Sequence, residues 1–459
     1  MSLVAPSFLL VALAAVLLLR VPRLRARRAD ILAALSLVFA LLATATPRDG
    51  MCLLAMAVSG RLLLSAVAAS RSARLLALAI LCIIGEFLLS RWLAPGTLWL
   101  PGVELGRTLG LSYVMFRILH LLVDAQGGEL PDQLRWRDYL CYLFFFPTFL
   151  AGPIQRLQDF AAELARPTAP LSIPERRADL QRIIAGLFKF TVLAAAAFAV
   201  FRWAGGAAAT SSAPRMAAAF VAFGVYLYLS FAGYTDIVRG VGGLCDVQLP
   251  QNFARPWLSA NFLDLWSRWH ISLSDWFKLY VFNPAVKALL SRFDRPALVP
   301  YLGAVGYFLT FFLMGLWHGT SLRFAFYGLA LGAGVSINKL FQVAMTARFG
   351  RRSYAAMTKR PVYSAFSGAA AVGYFVLALG FFWLPAPAAI AVGPLAVAAA
   401  LVFATILIGT AVDAATQARL PTLLPSRFEA PVYALMLGAS VVLVWLDPGA
   451  VPPLLYQFF

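Results

Sequence analysis

From residue 4 to residue 446 the chain is a succession of apolar runs, each about the roughly 20 residues a helix needs to cross the hydrocarbon core of a bilayer. The runs are 4–20, 30–46, 51–69, 75–92, 105–124, 183–201, 216–239, 298–317, 322–345, 362–384, 388–412 and 430–446. In lipid a backbone must satisfy its own N–H and C=O groups, so these runs are expected to be helices. The ten-residue alternation of an outer-membrane barrel does not occur. The expected fold is an all-α polytopic membrane protein with about 11–12 transmembrane helices.

Composition agrees. Hydrophobic residues make up 61% of the 459 residues and charged residues 13%, where a soluble domain is about half apolar and a quarter charged. Mean hydropathy is +0.80. A soluble core stops growing at about 250–300 residues. A bundle in lipid has no such limit, so residues 1–459 are read as one transmembrane domain.

The formal charge is +18, but the basic residues sit in short stretches between the apolar runs. That is the pattern of topology signals and headgroup contacts. No nucleic-acid motif accompanies it, which excludes nucleic acid as a partner. Met1 to Phe8 carry no charged side chain, and Arg20, Arg23, Arg25, Arg27 and Arg28 follow the first run. This order predicts an uncleaved first span with its N-terminus outside the cytoplasm. The stretches Arg71 to Arg74, Arg135 and Arg137, Arg156 to Arg182, and Arg348 to Arg360 should be cytoplasmic.

Two regions depart from simple spans. The run 139–155 has basic loops on both sides and contains Pro147, Gly152 and Pro153, so a re-entrant or broken hairpin is expected. The stretch 240–297 is too polar to span and too aromatic to be a solvated loop. Its Trp257, Trp266, Trp269, Trp276, Phe277, Tyr280 and Phe282 suit short interfacial helices. Gly240, Gly242 and Gly243 read as a bend after the preceding span. Cys52, Cys82, Cys141 and Cys245 are scattered without a CxxC pair, which argues against a thiolate metal site and for small hydrophobes.

The chain has three histidines. His270 lies in DLWSRWHISLSDWF, residues 264–277, and His318 in MGLWHGTS, residues 314–321. A histidine in a membrane protein is costly and faces a polar interior or cavity. Its near-neutral pKa suits general-base work. Interhelical hydrogen bonding is the alternative for each, and Gly315 and Gly319 bracket His318 as a GxxxG packing motif. His120, in a plain apolar run, is assigned no role. Asp264 and Asp275 stand six and five residues from His270, not at the helical spacings that would pair them with it. Glu86, inside an apolar run, is expected to bond a neighbouring helix. No Walker loop, HExxH or Ser/His/Asp order is present.

Taken in order, several stretches resemble one known family. FFPTFLAGPIQR (145–156), FAGYTDI (231–237), NFARPWLSANFLDLW (252–266), LWSRWHISLSDWFKLYVF (265–282) and GLWHGTSLRFAFYGLALG (315–332) resemble the motifs of the membrane-bound O-acyltransferases (MBOATs). The likeness covers residues 105–345. It is nearest the bacterial branch that serves teichoic acid D-alanylation and alginate O-acetylation. The branch's arginine-aspartate pair after SLSxW is here Lys278-Leu279.

The resemblance implies an MBOAT-like catalytic core over 105–345 with His318 as catalytic histidine and His270 as the second. It places Trp317, Trp269, Arg268, Ser274, Asp236, Asn252, Pro153 and Arg156 in binding or supporting roles. It further implies a central funnel meeting a narrow passage from the cytoplasm, in a bacterial cytoplasmic (inner) membrane. The donor would be a cytoplasmic thioester, on a phosphopantetheine carrier protein or coenzyme A, with no tightly bound cofactor and no metal. A D-alanyl or acetyl group would pass to hydroxyls of a glycan or teichoic-acid-like polymer, beside an extracytoplasmic acyltransferase or acceptor-handling protein. For the two histidines to cooperate, 257–276 must fold back to membrane depth. The reading from a different class is a transporter or channel for an envelope precursor, which an inverted repeat would have favoured; no such repeat is evident.

Overall fold

A computed structural model describes residues 6–44, 46–92, 110–131, 134–166, 172–205, 212–293, 295–319, 321–384, 392–417, 429–447 and 451. In chain order the helices are α1 (Pro6–Arg20), α2 (Arg28–Ala43), α3 (Pro47–Ser70), α4 (Ala73–Trp92), α5 (Leu111–Gly127), α6 (Trp136–Phe144), α7 (Leu157–Ala165) and α8 (Ile173–Phe188). A π-helical turn, Lys189–Leu193, continues α8 into α9 (Ala194–Trp203). There follow α10 (Ala213–Leu244), the short α11 (Phe262–Trp266), α12 (Ile271–Phe277) and α13 (Asn283–Arg292), then α14 (Val299–Trp317), α15 (Leu322–Phe349), α16 (Pro361–Ala378), α17 (Val392–Gln417) and α18 (Glu429–Leu446). Among the described residues the only β-type pairing is an isolated bridge between Phe253 and Trp269.

Nine stretches among the described residues are helices long and apolar enough to cross a membrane. The helices at the other three expected runs, α1, α2 and α5, are shorter, at 15, 16 and 17 residues. Residues 4–5, 45, 105–109 and 388–391 of the expected runs lie outside the described residues. Large side chains on these helices stay exposed: Leu10, Leu54, Leu81, Leu435 and Trp445 range from 64% to 80%. Only a hydrocarbon surround makes such exposure favourable. The chain is an all-α, multi-pass membrane protein.

The described residues group into two compact units. One comprises residues up to 186 together with 234–250. Local chemistry sets its helix ends. Thr46 accepts the Asp49 N–H at 3.2 Å while Asp49 accepts the Thr46 N–H at 3.0 Å, a capping box with Pro47 at the first helical position of α3. Phe8, Phe39, Phe146 and Phe149 build the core, with ring centroids 5.8 Å apart for Phe8 and Phe39 and 6.1 Å for Phe39 and Phe149. Ser59 donates to Glu86 at 2.9 Å, joining α3 to α4 as expected for an acid inside an apolar run.

The run 139–155 is indeed broken. α6 stops at Phe144, a 3₁₀ turn covers Phe146–Thr148, and a cis Gly152-Pro153 bond leads to α7. The fully buried Arg117 of α5 holds the break together. Its guanidinium donates to the carbonyls of Tyr142 (2.9 Å), Leu143 (2.6 Å) and Thr148 (3.0 Å) and to the Thr148 hydroxyl (2.6 Å). His120, one turn on, lies 2.7 Å from the Tyr142 hydroxyl, which donates to the Gln155 carbonyl at 2.6 Å. Its ring joins α5 to α6 through Tyr142.

The glycines at the end of α10 correct one expectation. The helix does not bend there but runs to Leu244. A Cβ on Gly240 would come within 2.7 Å of the Asp179 carbonyl, and one on Gly243 within 2.3 Å of the Asp179 carboxylate. The glycines make a flat face on which α8 packs. Arg28 also proves more than a topology signal. It is 4% exposed and donates to the carbonyls of Asp246, Glu163 and Leu164 at 3.0, 2.8 and 2.6 Å.

The second unit comprises residues 187–233 and 251–447. Its centre is the antiparallel pair α14 and α15. A Cβ on Gly315 would lie 2.1 Å from the Gly328 Cα, and Ser336 donates to the Ala304 carbonyl at 2.8 Å further along. The two helices touch backbone to backbone, which only glycine permits. Against them and α16 packs the stretch 251–292, folded as short helices as expected. Its tryptophans, however, point inward: Trp266, Trp269 and Trp276 are 6%, 5% and 8% exposed. Trp269 and Trp266 contact Phe375 with centroids 4.9 and 5.5 Å apart. Phe375 lies seven residues inside the end of the membrane-long helix Pro361–Phe382, so the segment packs at the depth of that span.

Candidate active site

His318 caps the C-terminus of α14, its N–H bonded to the Gly315 carbonyl at 3.1 Å. Its ring is 4% exposed within an aromatic shell: Trp317 at 4.7 Å, Tyr327 at 5.4 Å, Phe382 at 5.5 Å and, nearly parallel, Phe324 at 6.3 Å between centroids. The packing role of Gly315 and the enclosure of His318 are therefore both real, because the close α14–α15 contact is what brings Tyr327 onto the imidazole.

His270 is set by a different device. Asn261 caps α11, accepting the Asp264 N–H at 3.0 Å, and Asp264 accepts the Ala260 N–H at 2.8 Å. Asp264 also takes the Arg268 Nε–H at 3.0 Å. Its carboxylate is thus committed away from His270, as the six-residue spacing implied. The Ala254 N–H bonds the Arg268 carbonyl at 3.0 Å. Asn252 accepts the Ile271 N–H through its carbonyl at 3.0 Å and the Ser272 N–H through its side chain at 3.2 Å. Clamped on both sides, His270 adopts a left-handed conformation, φ 44° and ψ 54°, and starts α12. A non-glycine residue held there stores backbone strain of about 1–3 kcal/mol. Its ring is 1% exposed and meets Phe231 edge-on at 4.7 Å.

The surroundings of the two histidines are linked. Phe375 touches Trp269, the neighbour of His270, and Phe382 touches His318. Seven residues separate them, along α16 and the 3₁₀ turn Leu379–Phe382 that continues it, roughly 10 Å at 1.5–2 Å per residue. Of the residues singled out in the sequence, His318, Trp317, His270, Trp269, Arg268, Ser274 and Asn252 fall in this unit. Ser274 donates to the Trp269 carbonyl at 3.3 Å. Asp236, Pro153 and Arg156 belong to the other unit, where Arg156 pairs with Asp124 at 3.1 Å and Glu129 at 2.6 Å.

Several residues escape a reading of motifs. Tyr327 and Phe382 complete the His318 shell from α15 and from the 3₁₀ turn after α16; Tyr327 falls within the 315–332 stretch but is not singled out there, and nothing in the local sequence marks Phe382. Arg117 could have been found, since an arginine in the middle of an apolar run requires buried partners.

Histidines enclosed by aromatic rings at the end of one spanning helix and in a folded-back loop suit proton transfer sheltered from water. Residues 62–381 match the family model of the membrane-bound O-acyltransferases, and the chain belongs to that family. It is 34% identical over 230 residues to the teichoic acid D-alanyltransferase of Bacillus subtilis (strain 168), covering 48% of this chain and 56% of the relative. It is 30% identical over 245 residues to the teichoic acid D-alanyltransferase of Streptococcus thermophilus, covering 50% and 56%. To the probable alginate O-acetylase AlgI of Pseudomonas fluorescens it is 29% identical over 233 residues, covering 50% and 44%. The chain spans about half the length of the curated relatives it matches.

Proposed function

We propose that this protein is a membrane O-acyltransferase that moves a small acyl group, D-alanyl or acetyl, from a cytoplasmic thioester to hydroxyls of an extracytoplasmic envelope polymer. The observation that carries this reading is His318, buried in an aromatic shell at the end of a spanning helix, within a chain of this family. The relatives named for teichoic acid and alginate support an envelope polymer as acceptor. The membrane would be the bacterial cytoplasmic membrane. The donor would be a carrier protein's phosphopantetheine arm or coenzyme A, and an extracytoplasmic partner would handle the acceptor.

In this mechanism the acceptor hydroxyl gives its proton to the imidazole of His318 as its oxygen attacks the thioester carbonyl. The carbon–sulfur bond then breaks, and the departing thiolate takes the proton back from the imidazolium. An ester and a thiol result, and the histidine is regenerated. His270 lies in the strained loop that supports the same region. Exclusion of water strengthens hydrogen bonds to the developing oxyanion and removes the competing nucleophile.

The test is transfer of labelled acyl groups from a thioester donor to polymer by the protein in liposomes with its partners. A general base is worth about 10²–10⁴-fold in rate, so His318→Ala should lose activity on that scale while the protein still folds and inserts. If His318→Ala retains more than about a tenth of the activity, a loss below 1.4 kcal/mol, the base is elsewhere. If the wild type transfers nothing but carries solute across the liposome, the protein is a transporter.

A further inference from the structure

Three spanning helices of the second unit border a cavity of about 320 Å³ that the mechanism above does not use. It runs along α10 from Val221 to Tyr228, along the span 361–382 from Val372 to Leu379, and beside Thr405 and Gly409 of α17. Trp269, the neighbour of His270, forms part of its wall, with Phe375 packed on that indole at 4.9 Å.

The lining is apolar. No side chain with a formal charge borders the cavity. The hydroxyls of Thr405 and Thr410 donate to carbonyls of their own helix, Leu401 at 2.8 Å and Leu407 at 2.9 Å. Such a cavity gives water few partners and accepts apolar ligands. Its mouth lies at the depth of the hydrocarbon. Val225 is 43% exposed, and Thr405 and Gly409 on α17 are exposed as well. Val225 stands twelve residues inside the start of α10 and Thr405 thirteen inside that of α17, roughly 18–20 Å along each helix. A Cβ on Gly409 would meet no atom within 4 Å, so the space beside it is open.

Size selects the occupant. Seven residues separate the two ends along α10, and seven along the span 361–382, roughly 10 Å in each case. A helix filling that length would need a cylinder about 10–12 Å wide, on the order of 800–1,100 Å³, more than twice the space there is. Carbon–carbon bonds of about 1.5 Å at angles near 111° advance about 1.25 Å per carbon, so about eight carbons of an unbranched chain span the slot. We propose that this slot binds one alkyl chain of a bilayer phospholipid, and that the chain supports the loop that carries His270. The chain is a resident of the fold, not the group transferred. Within the protein Trp269 packs on Phe375 and, at 5.1 Å, on Phe253; the alkyl chain adds contacts from the slot. On either side of the left-handed His270, the Trp269 N–H bonds the Leu265 carbonyl at 2.8 Å and the Ile271 N–H the Asn252 carbonyl at 3.0 Å. An empty slot strips the indole of its contacts there and loosens both bonds.

The test uses the full chain in nanodiscs whose phosphatidylglycerol carries a diazirine midway along one chain. Photolabelling, read by peptide mass spectrometry, should mark the peptides of Val225 and of Thr405 to Gly409 about tenfold more than that of Leu81, a side chain 65% exposed on α4 and outside the slot. Gly409→Phe, whose ring fills the slot, should lose the excess, and Gly409→Ala should keep it. Uniform labelling overturns the proposal. So does an excess that survives in Gly409→Phe, or one abolished by an equimolar polyprenyl phosphate, which would make the occupant an isoprenoid. Transfer into a steroid-based detergent, whose fused rings are wider than one alkyl chain, then empties the slot. Hydrogen exchange of the Trp269 and Ile271 amides should quicken about tenfold in the wild type and stay slow in Gly409→Phe, where the ring replaces the chain. Wild-type exchange that ignores the loss of lipid refutes the support of the His270 loop. Both measurements read the slot without any reaction, so they stand or fall separately from the acyl-transfer reading.

Discussion

Replacing Arg117 with methionine should unfold the first unit more readily than any other single change of comparable volume. α6 ends at Phe144, so the Tyr142 and Leu143 carbonyls need amides four residues ahead. Those are not available: the Phe146 N–H goes to the Ser36 hydroxyl at 3.1 Å, and residue 147 is proline. Arg117 supplies both at 2.9 and 2.6 Å, and ties in Thr148 besides. Methionine conserves much of the volume but donates nothing. Two carbonyls are then left unsatisfied away from water, at about 1–3 kcal/mol each, or about 2–6 kcal/mol together. For a cooperative unit near 200 residues this lowers the melting temperature by on the order of 10 °C. Heating detergent-solubilised protein and following the monodisperse chromatographic peak measures it. Arg117→Lys, with fewer donors in a compact head, should fall between. A shift under about 2 °C for Arg117→Met would refute the assignment of the guanidinium as the support of the broken helix.

Three further outcomes are expected. His270→Ala and His270→Gly should both impair transfer, but the glycine variant should be more stable by about 1 kcal/mol, because glycine adopts φ 44° without a Cβ penalty; equal melting temperatures would show that the left-handed backbone carries no strain. Gly243→Leu should displace α8 from α10 and destabilise by about 1–3 kcal/mol through overpacking against Asp179, read as new protease cleavage near residue 179; an unchanged digest would mean that the flat glycine face is dispensable. Gly315→Val should separate α14 from α15 and pull Tyr327 from His318, lowering both melting temperature and transfer; a variant with normal stability and normal transfer would sever the link between that helix contact and the site.

The helices, the break at 139–155 and the two Trp-His motifs were legible along the chain, because each depends on residues close in sequence. Run length and hydropathy select spans; Pro147, Gly152 and Pro153 act on their own neighbours; and RWHISLSDW with GLWHG marks a family directly. Partner choice is another matter. That Arg117 serves carbonyls 25, 26 and 31 residues away, or that Gly240 and Gly243 form a face for Asp179 rather than a bend, follows from which helices meet. No period in the sequence encodes that. The same holds for the site. The sequence alone determined that His270 and His318 exist in a lipid-facing chain with few other ionisable groups in its spans. Only the packing of α16 against the folded-back tryptophans decided that their surroundings lie roughly two helical turns apart. The reason is physical: the backbone of 251–277 cannot sit at that depth unless Asn252, Asn261 and Asp264 satisfy its amides and Phe375 covers its rings, and those partners are brought together only when the chain has folded.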